Sequence, residues 1–391
     1  MVITFILLGA AVDYYIYRAI RQRQSRRIYS RLYAWQAVAM VLYLVVAICL
    51  PRRSGSDTTL LAIMWMLFGY MTVYIPKYVF VLVDLIAKIP QLFKRRRIKA
   101  ISWTGIGLAV VIFFGMWWGA LVNRFQTDVR EVEYVVPGLP KSLDGYRIVQ
   151  ISDLHTGTYG DDNAFLGKIV DEVNSLRPDA VFFTGDIVNR KSDELTPHAS
   201  TLAGLRARDG VFSILGNHDY GDYTDWASPE AKRENMELLY RLQREMGWRL
   251  LRNETAKISR APGDTLYIIG VENIGDPPFP RYGSLEKAYP TPGDSRPKIL
   301  LTHNPAHWVE DIADNDSTNI ALTLSGHTHA MQISLLGLSP AAFRYKTWGG
   351  GYDDQKKETQ RLYVNIGAGT VGLPMRLGAT PEITVITLLS K

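Results

Sequence analysis

YRIVQISDLHTG, residues 146–157, joins an apolar run rich in β-branched residues to a short polar segment. A short run of this kind is typical of a β-strand that is buried in a sheet. The polar segment follows directly and contains Asp153 and His155. The stretch therefore predicts a buried strand whose carboxyl end carries two side chains that can bind a ligand.

Four further stretches repeat this arrangement. They are AVFFTGDIVNR (180–190) with Asp186, VFSILGNHD (211–219) with Asn217, His218 and Asp219, KILLTHNP (298–305) with His303, and IALTLSGHTHA (320–330) with His327 and His329. Helical periodicity over 163–176 and 229–246 alternates with these runs, which favours a layered α/β fold. Ligands of open α/β sheets bind beyond the carboxyl ends of the strands, so we expect the polar side chains to converge there.

Each motif taken alone also has an ordinary explanation. A single Asp after a strand usually caps a turn, and Gly-Asn or Gly-Asp pairs are common in turns. A single His is usually a hydrogen-bonded residue of the core. Five of the seven histidines nevertheless fall in these motifs, whereas His198 and His307 lie outside them. The recurrence at five strand ends favours a shared site over five independent turns.

The converging side chains form a mixed oxygen and nitrogen donor set. Such a set suits Mn²⁺, Fe or Zn²⁺ better than Ca²⁺ or Mg²⁺, which prefer oxygen ligands alone. There are too many donors for one tetrahedral ion, and two cations about 3.5–4 Å apart can hold a hydroxide between them for in-line attack at phosphorus. His218 is placed to protonate the leaving oxygen, and Asp219 could orient His218 by accepting its other ring proton. The donor set therefore predicts two divalent metal ions, with Mn²⁺ favoured.

The order D-x-H, G-D, G-N-H-D, a single H and G-H-x-H, over residues 146–389, resembles the calcineurin-like metallophosphoesterases. The resemblance implies a two-sheet α/β sandwich and a metallophosphoesterase activity. It also implies a first metal held by Asp153, His155, Asp186 and His329, a second held by Asp186, Asn217, His303 and His327, and His218 as the general acid. The stretch NIGAGTVGLPMRLGATPEI (365–383) resembles the membrane-anchored bacterial branch of the YkuE and YaeI type.

The first third of the chain differs from the rest because long apolar runs alternate with basic clusters. The runs at 2–17, 32–50, 59–86 and 102–122 predict about four transmembrane helices that precede the sandwich. We expect residues 1–123 to form this region, 124–145 a linker and the strand that leads into the domain, and 146–391 the metallophosphoesterase domain. The single cysteine, Cys49, excludes disulfides and a cysteine-based metal site in the soluble part.

Charge in the loops between these runs indicates an orientation. Residues 18–31 carry six arginines and residues 94–99 carry five basic residues, against two at 52–53. The positive-inside rule places the first and third loops in the cytoplasm. We therefore expect a multi-pass protein of the bacterial cytoplasmic membrane with an extracytoplasmic catalytic domain. An activity on UDP-diacylglucosamine, as in some family members, would require the opposite orientation.

A membrane anchor favours a substrate at the membrane surface, such as a lipid-linked phosphomonoester, phosphodiester or pyrophosphate. The segment ISLLGLSPAAFRYKTW (333–348) either forms an apolar lip that touches membrane lipids or packs onto the sheet, and both interpretations stay open. Arg190 and Arg376 are candidates for substrate phosphate contacts.

Other classes of function are less consistent with these patterns. The main alternative is a catalytically inactive membrane sensor or binding protein with the same fold, which the complete donor set disfavours. The net charge of +6 is concentrated between the apolar runs, and the soluble part shows no dense basic face with interleaved aromatics. Nucleic acid is therefore not an expected partner.

Overall fold

Four long helices occupy the first part of the chain. The structure is a computed structural model, and it describes residues 2–277, 279–290, 293–315, 317–353 and 360–391. The helices are α1 (Val2–Arg23), α2 (Arg27–Cys49), α3 (Asp57–Leu92) and α4 (Lys99–Leu121). Three segments are long and apolar enough to cross a membrane, namely Arg27–Cys49, Asp57–Leu92 and Lys99–Phe125. Helix α1 falls short of this criterion, and it carries one aspartate and three arginines.

A buried carboxylate holds α1, α2 and α3 together. Asp13 on α1 accepts hydrogen bonds from Tyr33 (2.6 Å) on α2 and from Tyr74 (2.7 Å) on α3. Lys77 on α3 donates to Asp13 at 2.8 Å and supplies the compensating charge. A charge in an apolar environment is tolerated when it is paired and hydrogen-bonded, and Asp13 meets both conditions. This polar cluster therefore contributes to the packing of all three helices.

The rest of the chain forms two six-stranded mixed sheets. The first sheet has the order β1 (Asp128–Val135), β12 (Glu382–Leu389), β2 (Tyr146–Ile151), β3 (Ala180–Phe183), β4 (Val211–Ser213) and β5 (Trp248–Leu250). The second has the order β10 (Gly350–Asp353), β11 (Arg361–Val364), β9 (Ile320–Ser325), β8 (Lys298–Leu301), β7 (Thr265–Gly270) and β6 (Glu254–Ser259). Within the sheets, β2 to β5 are parallel, as are β7, β8, β9 and β11.

The main core lies between the two sheets. Fully buried residues from the first sheet, such as Ile148 and Phe182, pack with Ile268, Ile299 and Leu322 from the second. Helices α5 (Ala164–Ser175) and α7 (Pro229–Glu245) cover the other face of the first sheet, where a second core forms. The two shorter helices are α6 (Ala199–Leu202) and α8 (Leu285–Ala288). The predicted two-sheet α/β sandwich is confirmed.

The carboxyl ends of several strands in each sheet directly precede the predicted ligands. In the first sheet, β2, β3 and β4 end just before Asp153, Asp186 and Asn217. In the second, β8 and β9 end just before His303 and His327. Parallel strands within a sheet bring their carboxyl ends to the same edge, so each sheet contributes several polar side chains to a common edge.

Replacing Lys77 by Met should destabilise the helical part because it leaves the Asp13 carboxylate buried without its cation. We expect the free energy of unfolding to fall by about 3–5 kcal/mol, measured by denaturation of the purified full chain in detergent. Lys94→Met is the matched control, because Lys94 is exposed in the following loop. Equal stability of the two variants would contradict the role assigned to the ion pair.

Candidate metal centre

The structure brings all seven predicted metal ligands together, and they form two groups. Asp153, His155, Asp186 and His329 offer ligand atoms that all lie within 4.8 Å of one another. Asp186, His303 and His327 form a second group of the same kind. Asp186 belongs to both groups, so a single carboxylate lies between two sets of imidazoles.

The distances within the first group are short. His329 Nε2 lies 3.1 Å from Asp153 Oδ1 and 3.0 Å from His155 Nε2. His155 Nε2 lies 3.7 Å from Asp186 Oδ2. All four side chains are buried, so the four donors are shielded from bulk solvent.

The second group is built around His303. Its Nε2 lies 3.1 Å from Asp186 Oδ2, 3.1 Å from Asn217 Oδ1 and 3.2 Å from His327 Nδ1. Asn217 therefore joins this group through its amide oxygen. The amide nitrogen of Asn217 donates to Tyr223 Oη at 2.9 Å, which keeps the oxygen turned toward His303.

The electrostatics of the cluster fit a divalent cation. Burial lowers the pKa of His155 well below its usual value, and burial together with His303 lowers the pKa of His327 to about 4, so both rings are neutral donors. Burial opposes protonation of His303 too, but Asp186 outweighs it and raises the pKa of His303 to about 9. The carboxylate of Asp186 thus favours positive charge at the position of His303 Nε2. Neutral imidazoles and carboxylates crowded in this way form a divalent metal-binding site.

Contacts behind the ligands fix their orientation. His303 Nδ1 donates to the Thr184 carbonyl at 2.8 Å, which leaves Nε2 to face Asp186. The backbone N–H of His327 donates to both oxygens of Asp153 at 3.1 Å. Hydrogen bonds of this kind set the tautomer and ring angle of metal-binding histidines. The roles of the Thr184 carbonyl and the Tyr223 hydroxyl carry no sequence signal, so neither group could be predicted from the motifs.

The backbone at the site is strained. Five of the seven ligands adopt the left-handed conformation: Asp153 (φ 54°), His155 (48°), Asp186 (59°), His327 (76°) and His329 (51°). This conformation is uncommon for residues other than glycine and costs free energy. Strain concentrated on the ligands indicates that the geometry serves the site rather than the stability of the fold.

Two glycines permit the close approach of the ligand loops. A Cβ atom at Gly216 would lie 2.2 Å from Asp186 Oδ1, and one at Gly326 would lie 2.4 Å from Asp153 Oδ2. Both glycines directly precede a ligand, Asn217 or His327. Glycine is therefore required before Asn217 and before His327, because any side chain at that position would collide with a ligand carboxylate.

His218 lies beside the two groups and belongs to neither. Its Nδ1 donates to the Asn189 carbonyl at 2.6 Å, and its ring stacks on Tyr223 at a centroid distance of 4.4 Å. Its backbone N–H donates to Asp186 Oδ1 at 2.8 Å, and the side chain is only half-buried. The ring is thus held in place with its second nitrogen, Nε2, as the site of an exchangeable proton.

The prediction that Asp219 orients His218 is wrong, because the Asn189 carbonyl occupies that role. Asp219 instead accepts hydrogen bonds from the backbone N–H groups of Asp186 (2.9 Å), Ile187 (2.9 Å), Val188 (3.2 Å) and Gly216 (2.8 Å). The carboxylate thereby ties the loop that carries Asp186 to the loop that carries Asn217. Asp219 therefore positions the loops that carry the ligands, and its carboxylate does not hydrogen-bond the imidazole ring of His218.

The two arginines predicted to contact substrate are buried. Arg376 has no exposed surface, and its guanidinium donates to the carbonyls of Ile366 (2.9 Å), Gly369 (2.7 Å) and Ala379 (3.0 Å). Its Nη2 also lies 3.1 Å from His329 Nδ1, behind the ligand. Arg190 is 2% exposed, with its Nε 3.8 Å from Glu194. This burial argues against direct substrate contact by either arginine, and Arg376 instead supports His329.

Gly216→Ala should weaken the metal site because the added methyl group collides with the Asp186 carboxylate. Overpacking of this kind costs about 1–3 kcal/mol, so we expect a lower metal content after dialysis, measured by elemental analysis of the purified chain. Gly107→Ala is the control, since a Cβ there meets no atom within 4 Å. An unchanged metal content in Gly216→Ala would show that the loops have room to separate.

Comparison with known families accounts for both parts of the chain. The model described as "Probable Calcineurin-like phosphoesterase, transmembrane domain" matches residues 1–124, and the model described as "Calcineurin-like phosphoesterase" matches residues 146–331. The first match and the three apolar helices identify a membrane protein.

Two similar proteins bear names that fit these matches, one as a transmembrane metallophosphoesterase and one as a pyrophosphatase. "Transmembrane protein with metallophosphoesterase domain" of Danio rerio is 35% identical over 275 residues, which cover 68% of this chain and 59% of that protein. The matched region thus spans less than two thirds of the length of that relative. "UDP-2,3-diacylglucosamine pyrophosphatase LpxG" of Chlamydia trachomatis is 28% identical over 336 residues, which cover 72% of this chain and 95% of that protein.

A bacterial relative matches over most of its own length. "Uncharacterized metallophosphoesterase YkuE" of Bacillus subtilis is 31% identical over 259 residues, which cover 64% of this chain and 82% of that protein. The resemblance that the motifs indicate is therefore confirmed. On its ligand cluster, its two-sheet sandwich and these matches, the chain belongs to the calcineurin-like metallophosphoesterase family, in a branch with an amino-terminal transmembrane domain.

Proposed function

We propose that this protein hydrolyses phosphoric esters or phosphoanhydrides with a pair of divalent cations that share Asp186. The observation that carries the proposal is the position of this carboxylate, with Oδ2 3.1 Å from His303 Nε2 in one group and 3.7 Å from His155 Nε2 in the other. A carboxylate between two imidazole groups can offset the mutual repulsion of two cations.

The two ligand groups divide the cations between them. Asp153, His155, Asp186 and His329 would hold the first, and Asp186, Asn217, His303 and His327 would hold the second. The mixed nitrogen and oxygen donors favour Mn²⁺, with Fe or Zn²⁺ as alternatives. When bound, the pair supplies an activated water as nucleophile and neutralises charge on the phosphoryl oxygens.

His218 acts as the general acid in this proposal. Since Nδ1 donates to the Asn189 carbonyl, Nε2 is the atom from which a proton can pass to the leaving oxygen. Stacking against Tyr223 and the edge contact with His155 (centroid distance 4.9 Å) restrict rotation of the ring. Because the ring is already oriented, His218 does not have to rotate before it donates its proton.

A cavity of about 170 Å³ beside the ligands is the proposed substrate site. Its lining includes the ligands Asn217 and His327, the aromatic rings of Phe279 and Tyr345, and the exposed cation Arg344. We assign the substrate's phosphate contact to the exposed Arg344, whose Nη2 lies 3.2 Å from Asp276 Oδ2 in the same lining, and not to the buried Arg190 and Arg376. Aromatic walls with one cation suit a phosphate attached to an apolar or ring-bearing group.

We further propose that the substrate is a membrane-associated, lipid-linked phosphate or pyrophosphate. The anchor in the same chain and the relative named as a UDP-2,3-diacylglucosamine pyrophosphatase support this class, although with the orientation proposed below the lipid-linked substrate would not be UDP-diacylglucosamine itself.

We propose that α1 also spans the membrane and that residues 146–391 lie outside the cytoplasm, as the basic loops at 18–31 and 94–99 favour. A reporter enzyme that is active only in the cytoplasm, fused after Lys391, should be inactive.

Asp186→Asn tests the proposed function. The purified full chain with added Mn²⁺ should hydrolyse at least one of bis(4-nitrophenyl) phosphate, a lipid pyrophosphate and a nucleotide-linked lipid. The variant should lose all such activity, because the shared charge is removed from both metal groups. Asp161→Asn, on the exposed surface of the same domain, is the matched control. Activity retained in Asp186→Asn would refute the paired-metal mechanism, and a metal-loaded wild type inactive on the whole panel would favour the binding-protein alternative.

His218→Asn should separate proton transfer from metal binding. We expect kcat to fall by about 10²- to 10⁴-fold for substrates with poor leaving groups, with metal content unchanged. The decrease should be much smaller for 4-nitrophenyl esters, because nitrophenolate leaves without a proton. The comparison is made by steady-state kinetics on both substrate types. An equal decrease on both would assign His218 to another role.

A further inference from the structure

An exposed apolar loop adjoins the proposed substrate site. In this loop, residues 335–346, the side chains of Leu335, Leu336, Leu338 and Phe343 are all exposed, with Phe343 at 97%. Elsewhere in the described residues from 122 onward, the exposed large apolar side chains are Val122, Val135, Phe279 and Met331, none above 53%. Half of the exposed apolar side chains of this part of the protein are therefore gathered within nine residues. Such clusters mark contact surfaces.

The two interpretations left open by the sequence can now be separated. Trp348 packs against Ala330, Ile366 and Ala379, so it belongs to the folded domain. Leu336 and Phe343 pack against nothing comparable, since they are almost fully exposed. Trp348 and the buried Ala341 thus pack into the domain, and this packing does not account for the exposed side chains of Leu336 and Phe343.

The tip of the apolar loop is a tight and strained hairpin. The backbone N–H groups of Leu335 and Leu338 each donate to the carbonyl of the other at 2.9 Å. Between them, Leu336 and Gly337 both have positive φ, at 52° and 79°. Asn or Gly is the usual residue at the first of these two positions, so a leucine there is unfavourable for the turn itself. An apolar side chain that is both strained and exposed indicates selection for an external contact.

Hydrogen bonds tie the apolar loop to the metal ligands. Ser339 Oγ donates to the carbonyl of Ala330, the residue after His329, at 2.6 Å. Ahead of the loop, Ser334 N donates to Leu377 O at 2.9 Å, next to Arg376, which supports His329. At its other end, Arg344 and Tyr345 line the cavity that also contains Asn217 and His327. The position of the loop is thus set by the same segments that hold the site.

The charge of the segment selects the kind of partner. Residues 333–348 contain no acidic side chain, and the exposed cations Arg344 and Lys346 follow within three residues of Phe343. Arg344 also pairs with Asp276 of another loop, at 3.2 Å, so Lys346 is the cation without that neighbour. Apolar side chains flanked by cations suit the surface of a bilayer with anionic lipids, in which the apolar groups enter the acyl region and the cations meet phosphates. A bilayer is also a partner that this chain always has, because three of its helices are built to cross one.

We propose that the apolar loop inserts into the surface of an anionic lipid bilayer and thereby presents membrane phosphates to the site lined by Arg344. The insertion stands on exposure, strain and charge alone, whereas the presentation of substrate rests on the proposed function. Two experiments on the full chain test the two parts separately.

The first experiment measures insertion with a spin label. Because Cys49 is the single cysteine, the Cys49→Ser background allows a label at Leu336→Cys alone, in the full chain reconstituted into phosphatidylcholine–phosphatidylglycerol vesicles. Insertion excludes a water-soluble nickel chelate, so its collisions with the label should fall roughly tenfold relative to a label at Arg241→Cys, on the exposed face of α7. Equal access of the chelate at the two positions would overturn the proposal. Spin–spin broadening that grows with protein density would overturn it in favour of a second copy of the chain.

The second experiment measures turnover by the variant Leu336→Ser/Phe343→Ser, which changes two exposed side chains and leaves the core intact. Turnover of a lipid pyrophosphate in vesicles should fall roughly tenfold as the apolar contact is lost, while turnover of bis(4-nitrophenyl) phosphate stays unchanged. Equal loss on both substrates, or loss on neither, would overturn the presentation of substrate. A wild type that cleaves neither substrate would refute the proposed function, and the spin-label result would still decide insertion.

Discussion

The site depends on the crowding of donors around one buried carboxylate. Asp186 lies between the imidazoles of His155 and His303, and ring nitrogens approach one another to 3.0 Å in one group and 3.2 Å in the other. Such an arrangement is unfavourable unless positive charge lies among the donors. The Asp186 carboxylate raises the pKa of His303 to about 9, which shows that the pocket favours positive charge at this position. A divalent cation bound by the same donors would supply that charge.

The rest of the domain is organised to impose this crowding. Two sheets pack face to face and deliver their parallel strand ends to one edge, so ligands more than 170 residues apart in the chain come into contact. Left-handed backbone at five ligands and the glycine at 216 bring the loops closer than ordinary turns allow. Asp219 and Arg376 then hold the loops from behind. Burial in the two cores offsets the strain that this geometry requires.

Polar groups in the membrane-spanning part follow the same physical rule. The Asp13 carboxylate is buried among apolar helices, where it pairs with Lys77 and accepts hydrogen bonds from two tyrosine hydroxyls. In both places a buried charge is tolerated because its partners come from different segments, and each cluster therefore joins elements that are distant in sequence. The apolar loop at 335–346 is the reverse case, in which apolar groups remain exposed because their proposed partner, the bilayer, lies outside the protein.

The sequence by itself determined the class of fold, the apolar helices and the identity of the donors, because strand periodicity, hydropathy and residue chemistry are local properties. Asp153, His155, Asp186, Asn217, His303, His327 and His329 could all be named from motifs at strand ends. Only the tertiary structure decided the roles of Asp219, Arg376 and the Asn189 carbonyl, since these depend on which side chain reaches which backbone group across separate loops. Exposure was likewise invisible in the sequence. The segment 333–348 has apolar residues along its whole length, and its division into a packed Trp348 and an exposed Leu336 follows from the hairpin and its anchors, which form only when the chain is folded.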